Sequence, residues 1–381
     1  MSIYLDNAAS TRVKPKVLAR FNEVAENLYG NPSSMHSEGL DARRVIWDTQ
    51  DIIAGKIGCK PDEIYFTSGA TMSNNLLIQG VLRKQPETMF VTSNVEHNDI
   101  MELYDWLPYS KTILSVFRSG HLILPELYDC MVTCEQNHKP CLVSIQMANS
   151  ETGVIQPIKN ISKIVHNFGG YLHVDATQYI PYYPINMDEL GIDALSMSGQ
   201  KIGGLKGSGL LVVRQTLQPH VAPIIFGEQG LIGGTPSTPL IASLGEAFKE
   251  IDYDISFLQN KRDRLLSALQ DMGGILVGNK EHRLPNNIYI RFPNVNGFEL
   301  LGLLNDYDIY IGTGSACSTD SDRPSHVALA YGLTEEEAFE CVRFTLSNDT
   351  TYEDIDYVTK VLNGILKTIE GGNDYEHTGT Y

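Results

Sequence analysis

From about residue 60 to residue 215, short apolar runs alternate with longer stretches in which apolar positions recur every three to four residues. The runs are EIYF (63–66), VTS (91–93), CLVSIQM (141–147), YLHVDA (171–176), ALSMS (194–198) and GLLVV (209–213). Short apolar runs bounded by turn residues read as strands, and the periodic stretches between them read as helices. That alternation predicts βα units in a mostly parallel, helix-covered sheet, with ligands at the carboxyl ends of its strands. Past about residue 254 the pattern changes. The amphipathic stretch from Leu258 to Met272 predicts a long helix, while NNIYIRF (286–292) and DIYIG (308–312) predict short strands. Thr334 with Glu337, and Thr351 with Asp354, have the spacing of capping boxes ahead of two further helices. The expected fold class is α/β, in two domains. Residues 15–254 form the large one, residues 1–14 and 255–370 form a smaller α+β one, and 371–381, polar and glycine-containing, is a disordered tail.

A chain of 381 residues is long enough to bury two cores. Its 29 Lys and Arg against 46 Asp and Glu leave a net charge of −17, which opposes direct binding to nucleic acid or to an anionic membrane. No apolar leader opens the sequence and no stretch reaches the roughly 18 apolar residues of a membrane span, so a cytoplasmic protein is expected. Six cysteines in such a chain do not suggest a disulfide framework. Most of them, Cys59 and Cys141 included, are expected to be buried. Cys130 and Cys134 have the spacing to share a helix face and bind metal, but no CxxC or paired histidine accompanies them, and no metal is expected.

Four segments have the composition for chemistry. FTSGAT (66–71) puts small residues between a strand and a helix, where helix-terminal N–H groups receive a phosphate, although a polar cap looks the same. Asp175, at the end of YLHVDA, either pairs with a protonated pyridine nitrogen or caps the next helix. Lys201, among glycines and hydroxyls in SGQKIGGLKGSG, either forms a Schiff base or belongs to a solvated loop. Cys317, in GTGSACST, is either an exposed nucleophile or incidental.

Taken in order, YLDNAAS (4–10), GNPSSMH (30–36), FTSGAT (66–71), VEH (95–97), ETGVIQPI (151–158), HVDATQ (173–178), SGQKIGG (198–204), GSACS (314–318) and VRFTLS (342–347) carry a resemblance. The chain resembles the cysteine desulfurases of the nitrogen-fixation and iron-sulfur-cluster type, fold-type I pyridoxal-phosphate enzymes of the class V aminotransferase superfamily. The resemblance implies pyridoxal 5'-phosphate as cofactor and L-cysteine as substrate. It implies that Lys201 holds the cofactor as a Schiff base, that Asp175 pairs with its ring nitrogen, and that Gln178 contacts its phenolic oxygen. His97 would stack on the ring and take part in catalysis. Thr71, Ser198 and Gln200 would hold the phosphate, with Gly69 and Ala70 forming the turn and Thr235 reaching the phosphate of the neighbouring subunit in a homodimer. Asn149 and Arg343 would bind the substrate carboxylate, for which a guanidinium fork is suited. Cys317 would accept sulfur as a persulfide and pass it to an acceptor protein, with alanine as the other product.

The chain also departs from that family. Gln200 stands where histidine is usual before the lysine, which implies weaker hold on the phosphate; Met72, Leu205 and Ile232 replace glutamate, proline and arginine. GSACS followed by TDSDRPSH resembles the long-loop subgroup, and the C-terminus lacks the scaffold-binding tail of housekeeping members. A specialised sulfur donor is therefore expected, for iron-sulfur assembly, tRNA thiolation or DNA phosphorothioation. Two alternatives stand beside it. One is a pyridoxal lyase or aminotransferase of other specificity, which has no need of Cys317. The other is an inactive binding partner, against which Lys201, Asp175 and Arg343 argue.

Overall fold

The computed structural model describes residues 2–227, 230–314 and 323–376, with side chains as far as Ile369. In chain order the strands are β1 (Ile3–Tyr4), β2 (Ile64–Thr67), β3 (Met89–Ser93), β4 (Lys111–Leu114), β5 (Cys141–Gln146), β6 (Tyr171–Asp175) and β7 (Ala194–Ser198). They continue with β8 (Gly209–Val213), β9 (Ile275–Leu276), β10 (Asn287–Arg291), β11 (Ile309–Tyr310), β12 (Gly312–Thr313) and β13 (Cys341–Thr345).

Seven strands make one sheet in the order β2-β8-β7-β6-β5-β3-β4. The run from β7 to β4 is parallel, and β8 is antiparallel to both of its neighbours. The mostly parallel, helix-covered sheet expected from the sequence is thus present. Its strands read as continuous apolar runs because both faces are covered. Leu210 and Val212 of β8 enter one core with Val143 and Val174, whereas Leu211 and Val213 enter the other with Leu77 and Val81 of the helix Ala70–Lys84.

The remaining strands pair as β12-β13-β10-β9 and as β1-β11. Leu265 and Leu269 of the helix Ser256–Asp271 pack with Ile288, Ile290 and Phe344 of the small sheet, and Ile3 and Leu5 join that core. Both expected capping boxes form: Glu337 N donates to Thr334 Oγ1 at 3.2 Å, and Asp354 N to Thr351 Oγ1 at 3.0 Å. The final helix, Tyr352–Glu376, includes residues 371–376, which the sequence reading placed in a disordered tail; residues 377–381 lie outside the described residues. A consequence for the site follows from β1. Thr345 N donates to Leu5 O at 2.7 Å and Asn7 N to Thr345 O at 3.3 Å, so the segment after β1 is fastened to β13 and led to the residues that follow β6 and β7, where Ala8 O accepts from Gln178 and Lys201.

Candidate functional site

The site forms at the carboxyl ends of β6 and β7, as a parallel sheet dictates. Asp175 closes β6 and is only 8% exposed. Its carboxylate accepts from Thr177 N at 3.0 Å and from Asn74 Nδ2 at 3.1 Å. Burial, reinforced by the charge of Asp99, pushes the Asp175 carboxyl above its ordinary range. A cation beside it would offset both effects, and a protonated ring nitrogen is such a cation. Lys201 ends the single 3₁₀ turn Gly199–Lys201 that follows β7. Its Nζ donates to the carbonyls of Ala8 and Ala9, both at 2.6 Å, and Gln178 Nε2 donates to the same Ala8 carbonyl at 2.9 Å. The turn needs glycine at 199, because a Cβ there would lie 2.4 Å from Ser208 Oγ.

The second part is the start of the helix Ala70–Lys84. Gly69, its N-cap, has φ +150° and no side chain to cap the helix, so the terminal N–H groups face outward for an anion. Ser198 Oγ lies beside them, accepting from Ala70 N at 2.8 Å. Thr71 is exposed at the same end. Met72 Sδ receives Ser68 Oγ at 3.3 Å, so a thioether fills the place where the family usually has a carboxylate. Gln200 enters the site's framework through its carbonyl, which accepts from Thr11 N at 3.1 Å and Thr11 Oγ1 at 2.8 Å. These groups fit a phosphate, and with Asp175 and Lys201 they fit pyridoxal phosphate.

The third part faces the small sheet. Asn149 is 1% exposed; its Oδ1 accepts from Glu151 N at 2.9 Å and Thr152 N at 2.7 Å, and its Nδ2 donates to Val95 O at 2.9 Å. Arg343, in β13 and 4% exposed, donates from Nη2 to Asp6 Oδ1 at 2.6 Å and from Nη1 to Ser150 O at 3.1 Å. Its Nε is buried with no hydrogen-bond partner among the described residues, a donor suited to a substrate carboxylate. His97 caps the helix Asn98–Trp106, with Nδ1 at 2.8 Å from Asp99 Oδ1.

Hydrogen bonds and neighbouring positions thus bring together Ala70, His97, Asn149, Asp175, Gln178, Ser198, Lys201 and Arg343. Thr235 is exposed ahead of the helix Thr238–Lys249, among groups that make none of these contacts. Cys317 lies outside the described residues. Sequence reasoning missed Asp6, Asn74, Asp99 and Glu151. Two of them sit in motifs that were noticed, YLDNAAS and ETGVIQPI; Asn74 and Asp99 carry no such signal. The Glu151 carboxyl is pushed up to about 7 by burial, against the pull of Ser325 and Arg343, and accepts from Ser325 Oγ at 2.5 Å. Cys59, expected to be buried, is only partly so, although burial still raises its thiol to about 12. Cys141 is buried. Among the described residues no group of three or more His, Cys, Asp or Glu side chains is placed to hold a metal ion, and no helix is long and apolar enough to cross a membrane. A cleft of about 900 Å³ touches the site at Lys201 but is not lined by Asp175, His97 or Arg343, so it is not the cofactor's seat.

A family model described as aminotransferase class-V matches residues 3–358. Cysteine desulfurase IscS of Dictyoglomus turgidum is 36% identical over 388 residues, covering 98% of this chain and 97% of its own. Among solved structures, a NifS-like protein superposes with a TM-score of 0.88 at 30% identity, covering 97% of this chain and 100% of that one. SspA in complex with cysteine superposes with a TM-score of 0.79 at 31% identity, covering 91% and 99%.

Proposed function

The chain belongs to the class-V aminotransferase family, and from that premise we propose that it is a pyridoxal-phosphate-dependent cysteine desulfurase that converts L-cysteine to L-alanine and carries the sulfur as a persulfide on Cys317. The observation that carries this reading is the arrangement of Asp175, Lys201 and Arg343. A buried carboxylate short of a cation, a primary amine, and a guanidinium with one donor unspent share one site. The name of the full-length relative and the cysteine bound to SspA support cysteine as the amino acid.

The cofactor, when bound, supplies an electron sink for bond cleavage around the substrate's α-carbon. Asp175 would hold its ring nitrogen protonated. Gly69, Ala70, Thr71, Ser198 and Gln200 would hold its phosphate, with Thr235 contributing from the partner subunit of a homodimer, and Gln178 would hold its phenolic oxygen. Lys201 Nζ would hold the cofactor covalently and would serve as the base for the substrate's α-proton. Arg343 and Asn149 would fix the substrate carboxylate, and His97 would stack on the ring. The Cys317 thiolate would form an S–S bond with the substrate sulfur as the carbon–sulfur bond breaks, and one proton delivered to the β-carbon and one returned to the α-carbon would complete alanine. Cysteine and one thiol give alanine and one persulfide, so no external oxidant is required. Residues 15–254 would carry the cofactor, and residues 1–14 with 255–370 would carry Arg343 and Cys317. A cytoplasmic location and a separate protein as sulfur acceptor complete the reading, with no direct nucleic-acid role.

The test is Cys317→Ser. It should still bind cysteine, since Asn149, Asp175 and Arg343 are untouched, yet release almost no alanine. Alanine at the wild-type rate would replace this reading with a pyridoxal enzyme of other specificity.

A further inference from the structure

Two side chains outside the proposed machinery join its parts. Asp99 lies in the first turn of the helix Asn98–Trp106; its Oδ1 is 2.8 Å from His97 Nδ1, and its Oδ2 accepts from Asn74 Nδ2 at 3.0 Å. The same Asn74 nitrogen donates to Asp175 Oδ2 at 3.1 Å. Asn74 is fully buried, on the helix whose first residues form the anion cradle. A side-chain amide carries two N–H donors, and both are engaged by carboxylates. The amide oxygen is buried without a hydrogen-bond partner among the described residues. Flipping the amide would aim that oxygen at two carboxylates, so electrostatics alone fixes its orientation, and the orphaned acceptor is the cost of the bridge.

From this geometry we propose that Asp99 and Asn74 are a positioning pair, fixing the His97 ring through Nδ1 and coupling it electrostatically to Asp175 and hence to the ring nitrogen of the bound cofactor. The proposal rests on the desulfurase reading and adds to it a route by which charge at the cofactor nitrogen and at His97 is shared. Asp99 is equipped for the part. Burial pushes its carboxyl up, but the hydrogen bond and charge of His97 and the bond from Asn74 outweigh this, and it stays below its ordinary range. Asp99 in turn is one of the causes that raise Asp175. With Asp99 Oδ1 at 2.8 Å from Nδ1, the pair fixes the orientation of the His97 ring at the site. The other titratable groups that face this chain are Glu96, Glu151, His173 and His326.

The experiment uses the holoenzyme and two variants. Asp99→Asn preserves shape and removes the charge; Asn74→Leu preserves volume and removes the bridge. At equal cofactor occupancy, the visible absorbance of the bound cofactor is titrated against pH, its circular dichroism is recorded, and kcat and KM for cysteine are measured. Removing a negative charge near a cationic cofactor should move the absorbance midpoint of Asp99→Asn to lower pH by about one pH unit. The dichroism band of both variants should change, and kcat should fall roughly tenfold with KM little altered, as expected for a residue that orients rather than binds. Alanine release by the wild type checks the underlying reading separately. Midpoint, dichroism and kcat unchanged in both variants, beside an active wild type, would overturn the pair alone. If Asn74→Leu fails to fold, Asp99→Asn decides by itself.

Discussion

Replacing Arg343 by lysine keeps a positive charge on β13 and removes the planar fork. The fork is divided in the structure: Nη2 holds Asp6 at 2.6 Å, Nη1 holds the Ser150 carbonyl at 3.1 Å, and the buried Nε is unspent. A lysine ammonium is a point donor on a flexible stem, and it cannot satisfy Asp6 and a substrate carboxylate in the same geometry. The substrate would then lose one charge-assisted hydrogen bond, worth about 1.5–3 kcal/mol. That is about a 10- to 150-fold weakening of cysteine binding. The carboxylate is not among the bonds that change, so the loss should appear in KM, with kcat within about threefold. Steady-state alanine release and a cysteine titration of the cofactor's absorbance measure it. Thermal unfolding recorded in parallel should separate binding from folding. Arg343→Ala, which strips Asp6 of its partner, should lose about 1–3 kcal/mol of stability, whereas Arg343→Lys should lose less. An unchanged KM in a folded Arg343→Lys variant would refute the reasoning and place the carboxylate elsewhere.

Three further outcomes are expected. Gly69→Ala puts a side chain where φ is +150° and a Cβ would lie 3.2 Å from Ser198 Oγ, so the cradle must distort; cofactor affinity, read by dialysis, should fall by the equivalent of about 1–3 kcal/mol. Lys201→Ala should abolish any lysine–cofactor link that borohydride can fix, and a surviving adduct would show that another lysine holds the cofactor. Glu96, fully enclosed, has its carboxyl pushed by burial from 4.5 to about 8. The folded protein therefore keeps a proton that the unfolded chain gives up, and stability present below about pH 4.5 should drain away by up to about 1.4 kcal/mol per pH unit until about pH 8. Glu96→Gln should flatten that decline in urea unfolding at pH 5 and pH 8; an equal decline would assign it to other groups.

The elements legible in the sequence are those whose burial is uniform. β5, β6, β7 and β8 were recognisable because both sheet faces are covered and the strands are mostly apolar and buried nearly throughout. β4, Lys111–Leu114, was not, because it lies at the sheet's edge, with only Leu114 buried. The helix through Gly371–Glu376 was missed because its residues look like a tail, and composition is silent about a helix continuing from a well-capped start. In the site, residues within recognisable motifs could be named, but pairings between distant segments could not. Arg343 meets Asp6 across 337 positions, and Asn74 meets Asp175 across 101. Asn74 also sits inside a helix, where asparagine carries no favourable signal, and its role becomes visible only when the fold brings Asp175, at the end of β6, within reach of that helix.

The claim on which the account rests is that sulfur leaves cysteine for one particular thiol. Cys341 offers the internal control: it is buried in β13, and burial raises its thiol to about 12, so it should be a poor nucleophile. The deciding measurement is peptide mass spectrometry after purified protein is given cysteine without reductant. The account predicts one added sulfur atom on the peptide containing Cys317, removed by a thiol reductant and absent from Lys201→Ala. Alanine formed with no sulfur on Cys317, or with the sulfur on Cys341 or any other cysteine, would contradict it.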